Sequence, residues 1–435
     1  MKDSGIEWIE EIPENWDIVK LKYYSYMKGR IGWQGLGSSD FIDEGPYCVT
    51  GTDFINGKVN WETCYHVSEE RYEMDKFIQI QVGDLLITKD GTIGKLAKIT
   101  ELPDKACLNS HLLIIRPLHN RFSNEYLYYV LSSYVFWKYY TIHSSGSIMA
   151  SLSQEKLKDF SFPVPSLKEQ QLLVSYLDRQ CALIDSVIEK TKASIEEYKK
   201  LRQAVITQAV TKGVRGDRAM KDSGIKWIGE IPQEWDIVKL KRVSVKIGDG
   251  LHSTPEYDEN GDYYFLNGNN IGSENLVFKD NTDRLNEEEY KKYKPSILSD
   301  NTILITLNGA TYGKTSFYNG EKVLLGKSAG YITLISDTSK KYVRYYLASN
   351  ISKILMDLSL NGTTIANLSL TTLNNFPLPL PKKCEQQEIA EYLDKKCTEI
   401  DSLITKKEQF LTELDSYKKS LIYEYVTGKK EVPQA

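Results

Sequence analysis

The chain has 435 residues, with 55 Lys and Arg against 59 Asp and Glu, and a formal net charge of −4. This length supports two to four domains with more than one core, and the acidic balance excludes a protein that coats nucleic acid by charge alone, while leaving room for a local basic patch. No apolar run approaches the roughly 20 residues of a membrane span, the start Met1-Lys2-Asp3-Ser4-Gly5 is not a signal peptide, and the six cysteines lack C-x-x-C or Cys/His ligand spacing; a soluble, cytoplasmic protein with free thiols is the expectation.

Residues 3–22 and 222–241 are near copies, DSGIEWIEEIPENWDIVKLK and DSGIKWIGEIPQEWDIVKLK. The chain is therefore a tandem duplication. Ile6, Trp8, Ile12 and Trp16 read as anchors that pack an irregular segment onto a core, and Pro13 blocks a continuous helix. From Leu21 to Phe160 the first unit is polar, rich in aromatics and broken every few residues by Gly, Asn and Asp. Strands are predicted at Tyr47–Thr50, Asp84–Thr88 and Leu112–Arg116, and a helix from Asn124 to Lys138. The second unit echoes them at Asp300–Thr306 and Tyr331–Ile335, with the matching helix beginning at Tyr342–Leu347. Between these landmarks most side chains differ: GRIGWQGLGSSDF at 29–41 stands against GDGLHSTPEYDEN at 248–260. A shared scaffold with different loops points to two modules doing one kind of recognition on two targets.

Each module closes with a matched passage. Gly146-Ser-Ile-Met-Ala-Ser-Leu-Ser153 corresponds to Gly362-Thr-Thr-Ile-Ala-Asn-Leu-Ser369, and Phe160-Ser-Phe-Pro-Val-Pro165 to Phe376-Pro-Leu-Pro-Leu-Pro381. The Pro-x-Pro pieces are extended and set the entry into a long helix. Glu169 to Thr211 and Glu385 to Thr427 align without a gap and contain no Pro or Gly. Each would form a rod of about 65 Å. Their apolar positions step by four and three: Leu177, Cys181, Ile184, Ile188, Ile195, Tyr198, Val205, and in the second copy Leu393, Cys397, Ile400, Ile404, Leu411, Leu414, Leu421. This is a heptad seam, and one rod needs the other to bury it. Polar breaks recur at matching places, Thr191 and Arg202 against Lys407 and Lys418, which favours one register.

Gly309-Ala-Thr-Tyr-Gly313-Lys314-Thr315 has three residues between its glycines where a P-loop needs four, and in the first unit Lys95 is followed by Leu96. A Gly turn that brings backbone N–H groups and a Lys to a DNA phosphate is one alternative; a plain hairpin is the other. The five His are scattered, Asp84 and Lys89 lack the rest of a nuclease motif, and neither a G-x-G-x-x-G nor an Asn-Pro-Pro-Tyr is present. No catalytic or metal-ligating constellation emerges.

The twofold order of opening Ile-Pro-x-x-Trp (Ile12–Trp16, Ile231–Trp235), Gly-x-x-x-x-x-Leu-Ser, Pro-x-Pro and a Glu-Gln-Gln helix ending in Val-Thr (210–211, 426–427) resembles the specificity subunit of type I restriction–modification systems over essentially the full chain. The resemblance implies an α+β fold: a tandem, β-rich target recognition domain followed each time by a long helix, the helices pairing as an antiparallel coiled coil with pseudo-twofold order. It divides the chain into a first recognition domain (1–165), a first helix (166–213), a second recognition domain (214–380) and a second helix (381–430). It further implies a non-catalytic subunit that binds double-stranded DNA at a bipartite, asymmetric target. The helices would serve as spacer and as dock for two methyltransferase subunits, with restriction/translocase subunits joining. S-adenosylmethionine, ATP and Mg would belong to those partners, leaving this chain without a cofactor. Two other classes remain open: a two-module coiled-coil scaffold binding proteins rather than DNA, and an enzyme with an unrecognised site.

For DNA contacts in the first module the candidates are Arg30, Trp33 and Gln34, since Arg reads guanine and Gln reads adenine in the major groove, with Lys89 and Lys95 for phosphates. In the second they are His252, Ser253, Asn267, Asn269, Asn308 and Lys314. Ser147 and Thr363 sit on matched Gly turns.

Overall fold

The computed structural model describes residues 1–30, 36–144, 151–293, 298–360 and 367–433. The chain divides into two compact units, one formed by Met1–Thr191 with Gln409–Ala435, the other by Lys192–Glu408. Each unit holds one recognition module, half of the helix that follows it, and half of the other long helix. The helices run Leu167–Lys212 and Lys383–Val426.

The two units share one topology. In the first, an antiparallel sheet takes the order Leu96–Lys98, Leu85–Thr88, Leu112–Pro117, Ser25–Lys28. In the second the order is Thr315–Phe317, Thr302–Thr306, Ala329–Leu334, Ser244–Asp249. A three-stranded sheet accompanies each. Phe41–Val49 lies between Ala106–Leu108, its parallel neighbour, and Tyr65–Val67. Tyr263–Leu266 lies likewise between Val323–Leu325 and Arg284–Leu285. The central strands read as unbroken apolar runs, as at Leu85-Leu86-Ile87, because both faces are covered.

The opening segment does what its apolar residues suggest. Ile9, Ile12 and Trp16 are buried in the core of the first unit, and the Trp8 indole donates to Val135 O at 3.1 Å. It then continues as Asp17–Lys20, which pairs with the Pro-containing strand Ser161–Val164. Asp236–Lys239 and Pro377–Leu380 repeat this pair. A two-stranded ribbon tolerates Pro because each strand has a free edge.

The expected helix 124–138 is in fact two, Asn124–Ser132 and Tyr134–Ser144. Ser133 is extended and divides them: its hydroxyl donates to Val130 O and accepts from Val135 N–H. Ser349 repeats the break between Lys340–Leu347 and Asn350–Ser359.

Repeated polar residues fasten module to helix. Gln170 is fully buried; its Oε1 accepts from Ser123 N–H at 2.9 Å and its Nε2 donates to Pro165 O at 2.9 Å. Gln386 does the same with Ser339 N–H at 2.8 Å and Pro381 O at 2.9 Å. The Trp16 indole donates to Glu169 at 2.8 Å and that of Trp235 to Glu385 at 3.0 Å. Tyr129 reaches Asp178 at 2.6 Å and Tyr345 reaches Asp394 at 2.8 Å. The fully buried hydroxyls of Tyr126 and Tyr342 donate to Pro163 O and Pro379 O.

Within each unit the two helix segments run antiparallel. In the first unit Tyr176 packs against Tyr425 with ring centroids 4.7 Å apart and the rings tilted by 42°, and Lys418 donates to Asp185 at 2.6 Å. In the second, Arg202 donates to Asp401 at 2.9 Å and the Lys407 ammonium lies 5.6 Å from the Tyr198 ring. Two of the polar breaks of the heptad seam, Arg202 and Lys418, are thus cross-helix ion pairs at equivalent places. Such half-exposed pairs contribute little to stability, about 0–1 kcal/mol, but they select register.

Replacing Gln170 by Ala leaves the half-buried Ser123 N–H without its acceptor. The first unit should lose about 1–3 kcal/mol, read as a lower urea midpoint. Gln386→Ala should do the same to the second unit through Ser339.

Candidate nucleic-acid interface

Strand register gathers the variable segments at one end of each four-stranded sheet. In the first unit Lys28 lies opposite Ile114, Thr88 opposite Leu112, and Ile87 opposite Leu96. In the second, Asp249 lies opposite Gly330, Thr306 opposite Ala329, and Ile305 opposite Thr315. The segments leaving Lys28 and Asp249, the Gly turns, and the strand starts at Leu112 and Ala329 therefore share one end. The passage before the last short helix joins them, because Leu152 N–H donates to Lys89 O at 2.8 Å and Leu368 N–H to Leu307 O at 2.7 Å.

The Gly turns have one geometry. Thr88 N–H donates to Lys95 O at 3.0 Å and Gly94 N–H to Thr88 O at 2.9 Å. Thr306 N–H donates to Lys314 O at 2.9 Å and Gly313 N–H to Thr306 O at 2.8 Å. Gly94 and Gly313 have φ of 77° and 81°, a region costly to residues with a Cβ. A Cβ there would also fall 2.6 Å from Trp137 or 2.8 Å from the Met356 sulfur. Each turn is held against a helix, which leaves Lys95 and Lys314 exposed at its end.

Lys89 is half-buried and, with Lys28, Arg30, Asp90 and residues 151–154, lines a cavity of about 380 Å³. Arg30 departs from its expected place on the reading surface. It is 3% exposed; its Nε donates to Leu108 O at 2.9 Å and its Nη2 lies 3.4 Å from the Cys107 sulfur. A buried guanidinium needs such partners, and here they brace the two sheets of the module. A hydrogen bond with Cys48 lowers the pKa of the Cys107 thiol against the opposing effect of burial, and the Arg30 charge adds to the lowering. Trp33, Gln34, Ser147 and Thr363 lie outside the described residues.

In the second unit His252 and Ser253 are exposed, and His252 Nε2 lies 2.8 Å from Asp249 Oδ2. Asn308 is half-buried and pairs as an isolated bridge with Asn367. Lys314 lines a cavity of about 400 Å³ with Arg202, Arg344 and Lys353. Arg344 is almost fully buried, and desolvation pulls its pKa down while Glu274, 3.2 Å away, opposes this. Asn267 and Asn269 fall at the same sheet end: Gly268 N–H donates to Ser328 Oγ at 2.8 Å, and the Thr306 hydroxyl to Gly268 O at 3.2 Å. Their counterpart in the first unit, the turn after Phe41–Val49, drew no candidate from the sequence. Thr-Gly-Thr-Asp and Asn-Gly-Asn-Asn share only the glycine, and only strand pairing shows them to be equivalent.

One scaffold used twice, with differing polar side chains gathered at one end of each sheet, defines a duplicated recognition chain. A family model described as the type I restriction modification DNA specificity domain matches residues 27–197 and 232–413. The chain belongs to this family. It is 26% identical over 430 residues to the type I restriction enzyme MjaVIII specificity subunit of Methanocaldococcus jannaschii, covering 97% of this chain and 94% of that protein. It is 24% identical over 371 residues to the EcoBI specificity subunit of Escherichia coli, covering 80% and 73%. Among solved structures, a chain from a type I restriction–modification system superposes with a TM-score of 0.75 at 16% identity, over 97% of this chain and all of that one. The HsdS subunit of Thermoanaerobacter tengcongensis gives 0.54 at 17%, over 97% and 98%. At these identities the structural likeness concerns the fold.

Gly94→Ala or Gly313→Ala should destabilise its unit by about 1 kcal/mol or more, since both φ and space are wrong for a Cβ. Lys95→Ala should stay within about 0.5 kcal/mol of the parent. Urea unfolding of the three variants checks the contrast.

Proposed function

We propose that this chain reads a bipartite, asymmetric DNA target, one half through each unit, and directs partner subunits that carry the chemistry. The observation that carries the reading is the matched sheet end: the same backbone positions in both units, filled with different polar and basic side chains. Identical modules would suit a palindrome; differing ones suit two unlike half-sites. Lys95 and Lys314, exposed at the ends of rigid Gly turns, contact phosphates, while exposed polar side chains nearby reach base edges. Trp33, Gln34, Ser147 and Thr363 keep their proposed part in DNA contact, alongside Lys89, His252, Ser253 and Asn308. Arg30 acts on that surface only indirectly, by bracing the module.

In this reading the chain has no catalytic role. Two methyltransferase subunits dock on the paired helices and methylate adenine using S-adenosylmethionine. Restriction/translocase subunits add ATP- and Mg-dependent cleavage, all in the cytoplasm. The recognition domains (1–165 and 214–380) are exchangeable parts, and the helices (166–213 and 381–430) set the spacing of the half-sites.

The test is co-expression with the cognate methyltransferase in a methylation-free host, followed by single-molecule sequencing. A split motif with one modified adenine in each half is expected. An uninterrupted motif, or no modification with an active methyltransferase, would overturn the reading. On the purified methyltransferase complex, Lys95→Ala or Lys314→Ala should reduce the slope of log affinity against log salt by about 1. The recognised motif should stay the same.

A further inference from the structure

We propose that one matched turn, Thr50–Asp53 in the first unit and Asn267–Asn270 in the second, is a specificity determinant in which Thr52 and Asn269 each read a base pair of their half-site. The inference rests on the DNA-reading function proposed above.

Both turns follow the middle strand of a three-stranded sheet and close in the same way. Asp53 accepts from Thr50 N–H at 2.7 Å, and Asn270 Oδ1 accepts from Asn267 N–H at 3.0 Å. The fourth residue is then anchored inward. Buried Asp53 also takes the hydroxyls of Thr50 at 2.9 Å and Thr63 at 3.0 Å. Asn270 Nδ2 donates to Val277 O at 3.1 Å. The second residue is glycine for want of room: a Cβ on Gly51 would lie 2.7 Å from Thr88 Cγ2, and one on Gly268 would lie 2.6 Å from Thr306 Cγ2. Those threonines end the strands that lead into the Gly turns. The turn is thus pinned to the candidate interface by its second and fourth residues, and the third is left facing solvent.

That third residue is where the two units differ in a way DNA could sense. Asn269 is exposed and has no side-chain hydrogen-bond partner among the described residues. It opens onto a polar cavity of about 200 Å³ with Asn267, Lys279, Asn281, Thr282 and Asp283. An unpaired carboxamide on a rigid turn supplies one donor and one acceptor, the pair that matches adenine in the major groove. Thr52 is also exposed; its Oγ1 lies 2.6 Å from Thr50 Oγ1. Because Thr50 donates to Asp53, Thr52 donates to Thr50, which leaves its lone pairs and methyl group facing outward. That surface suits a donor on a base edge or the thymine methyl, and does not offer the bidentate pattern of Asn. A fixed backbone with an interchangeable tip is the arrangement a specificity position requires.

The experiment exchanges the tips. Thr52→Asn, Asn269→Thr and Asn269→Ala are each co-expressed with the methyltransferase subunits, and the methylated motif is read by single-molecule sequencing. Asn269→Thr and Asn269→Ala should relax or change one base pair of the second half-site, with about a tenfold loss of discrimination there. Thr52→Asn should alter one base pair of the first half-site only. Urea midpoints equal to the parent's separate a reading role from a folding defect. Unchanged motifs in folded, active variants would overturn the inference, as would loss of specificity spread over both halves. Failure of the parent chain to give a split motif would instead sink the DNA-reading proposal itself.

Discussion

The structure depends on how a β-rich module is fastened to a solvated helix. Gln170 and Gln386 occupy the first turn of each long helix, and each bridges two backbone groups of its module. A buried carboxamide costs free energy unless both ends are satisfied, so the joint closes fully or is destabilising. Its geometry is therefore well defined. The neighbouring Glu that takes the Trp indole and the Asp that takes the Tyr hydroxyl add two fixed points, on either side of the Gln around the helix. Three polar joints spread around the start of the helix set the direction in which the module leaves it.

That fastening explains why duplication preserved some residues and not others. The Ile-Pro-x-x-Trp opening, the Pro-x-Pro strand and the Glu-Gln-Gln start are parts of one joint, brought together from residues 150 apart in sequence (Trp235 and Glu385). Each must keep its chemistry for the others to be satisfied. The far end of the sheet takes no part in the joint. Gly turns and short capped turns hold the backbone there, so the side chains they display can change without disturbing the fold. The joint and the variable side chains lie at opposite ends of the same strands.

The compact units also cross the boundaries of the sequence repeat. Each contains the end of one helix, a module and the beginning of the next helix. The cause is the antiparallel pairing within each unit: the seam of one helix is covered by the other, so every half-helix is buried by a segment distant in sequence. Arg202 with Asp401 and Asp185 with Lys418 are the same contact made twice.

The sequence by itself determined the duplication, the two long helices, their heptad seam and the strands around Leu85–Thr88 and Leu112–Pro117. These signals are periodic or repeated and need no distant partner to be legible. It also located Lys95, Lys314, Asn267 and Asn269 near breaks in the chain. Only the tertiary structure decided which of those breaks converge, because convergence depends on strand register, and register is set by contacts between segments far apart. The same reason turned Arg30 from a presumed base reader into a brace: a Gly-Arg-Ile-Gly sequence looks exposed, but the Leu108 carbonyl that accepts its hydrogen bond lies 78 residues away. The helix at 124–144 broke at Ser133 because a serine hydroxyl competed for backbone groups, an outcome that helix periodicity does not register. Thr52 escaped notice for a related reason. Its equivalence to Asn269 is a property of two sheets, and the intervening side chains share almost nothing.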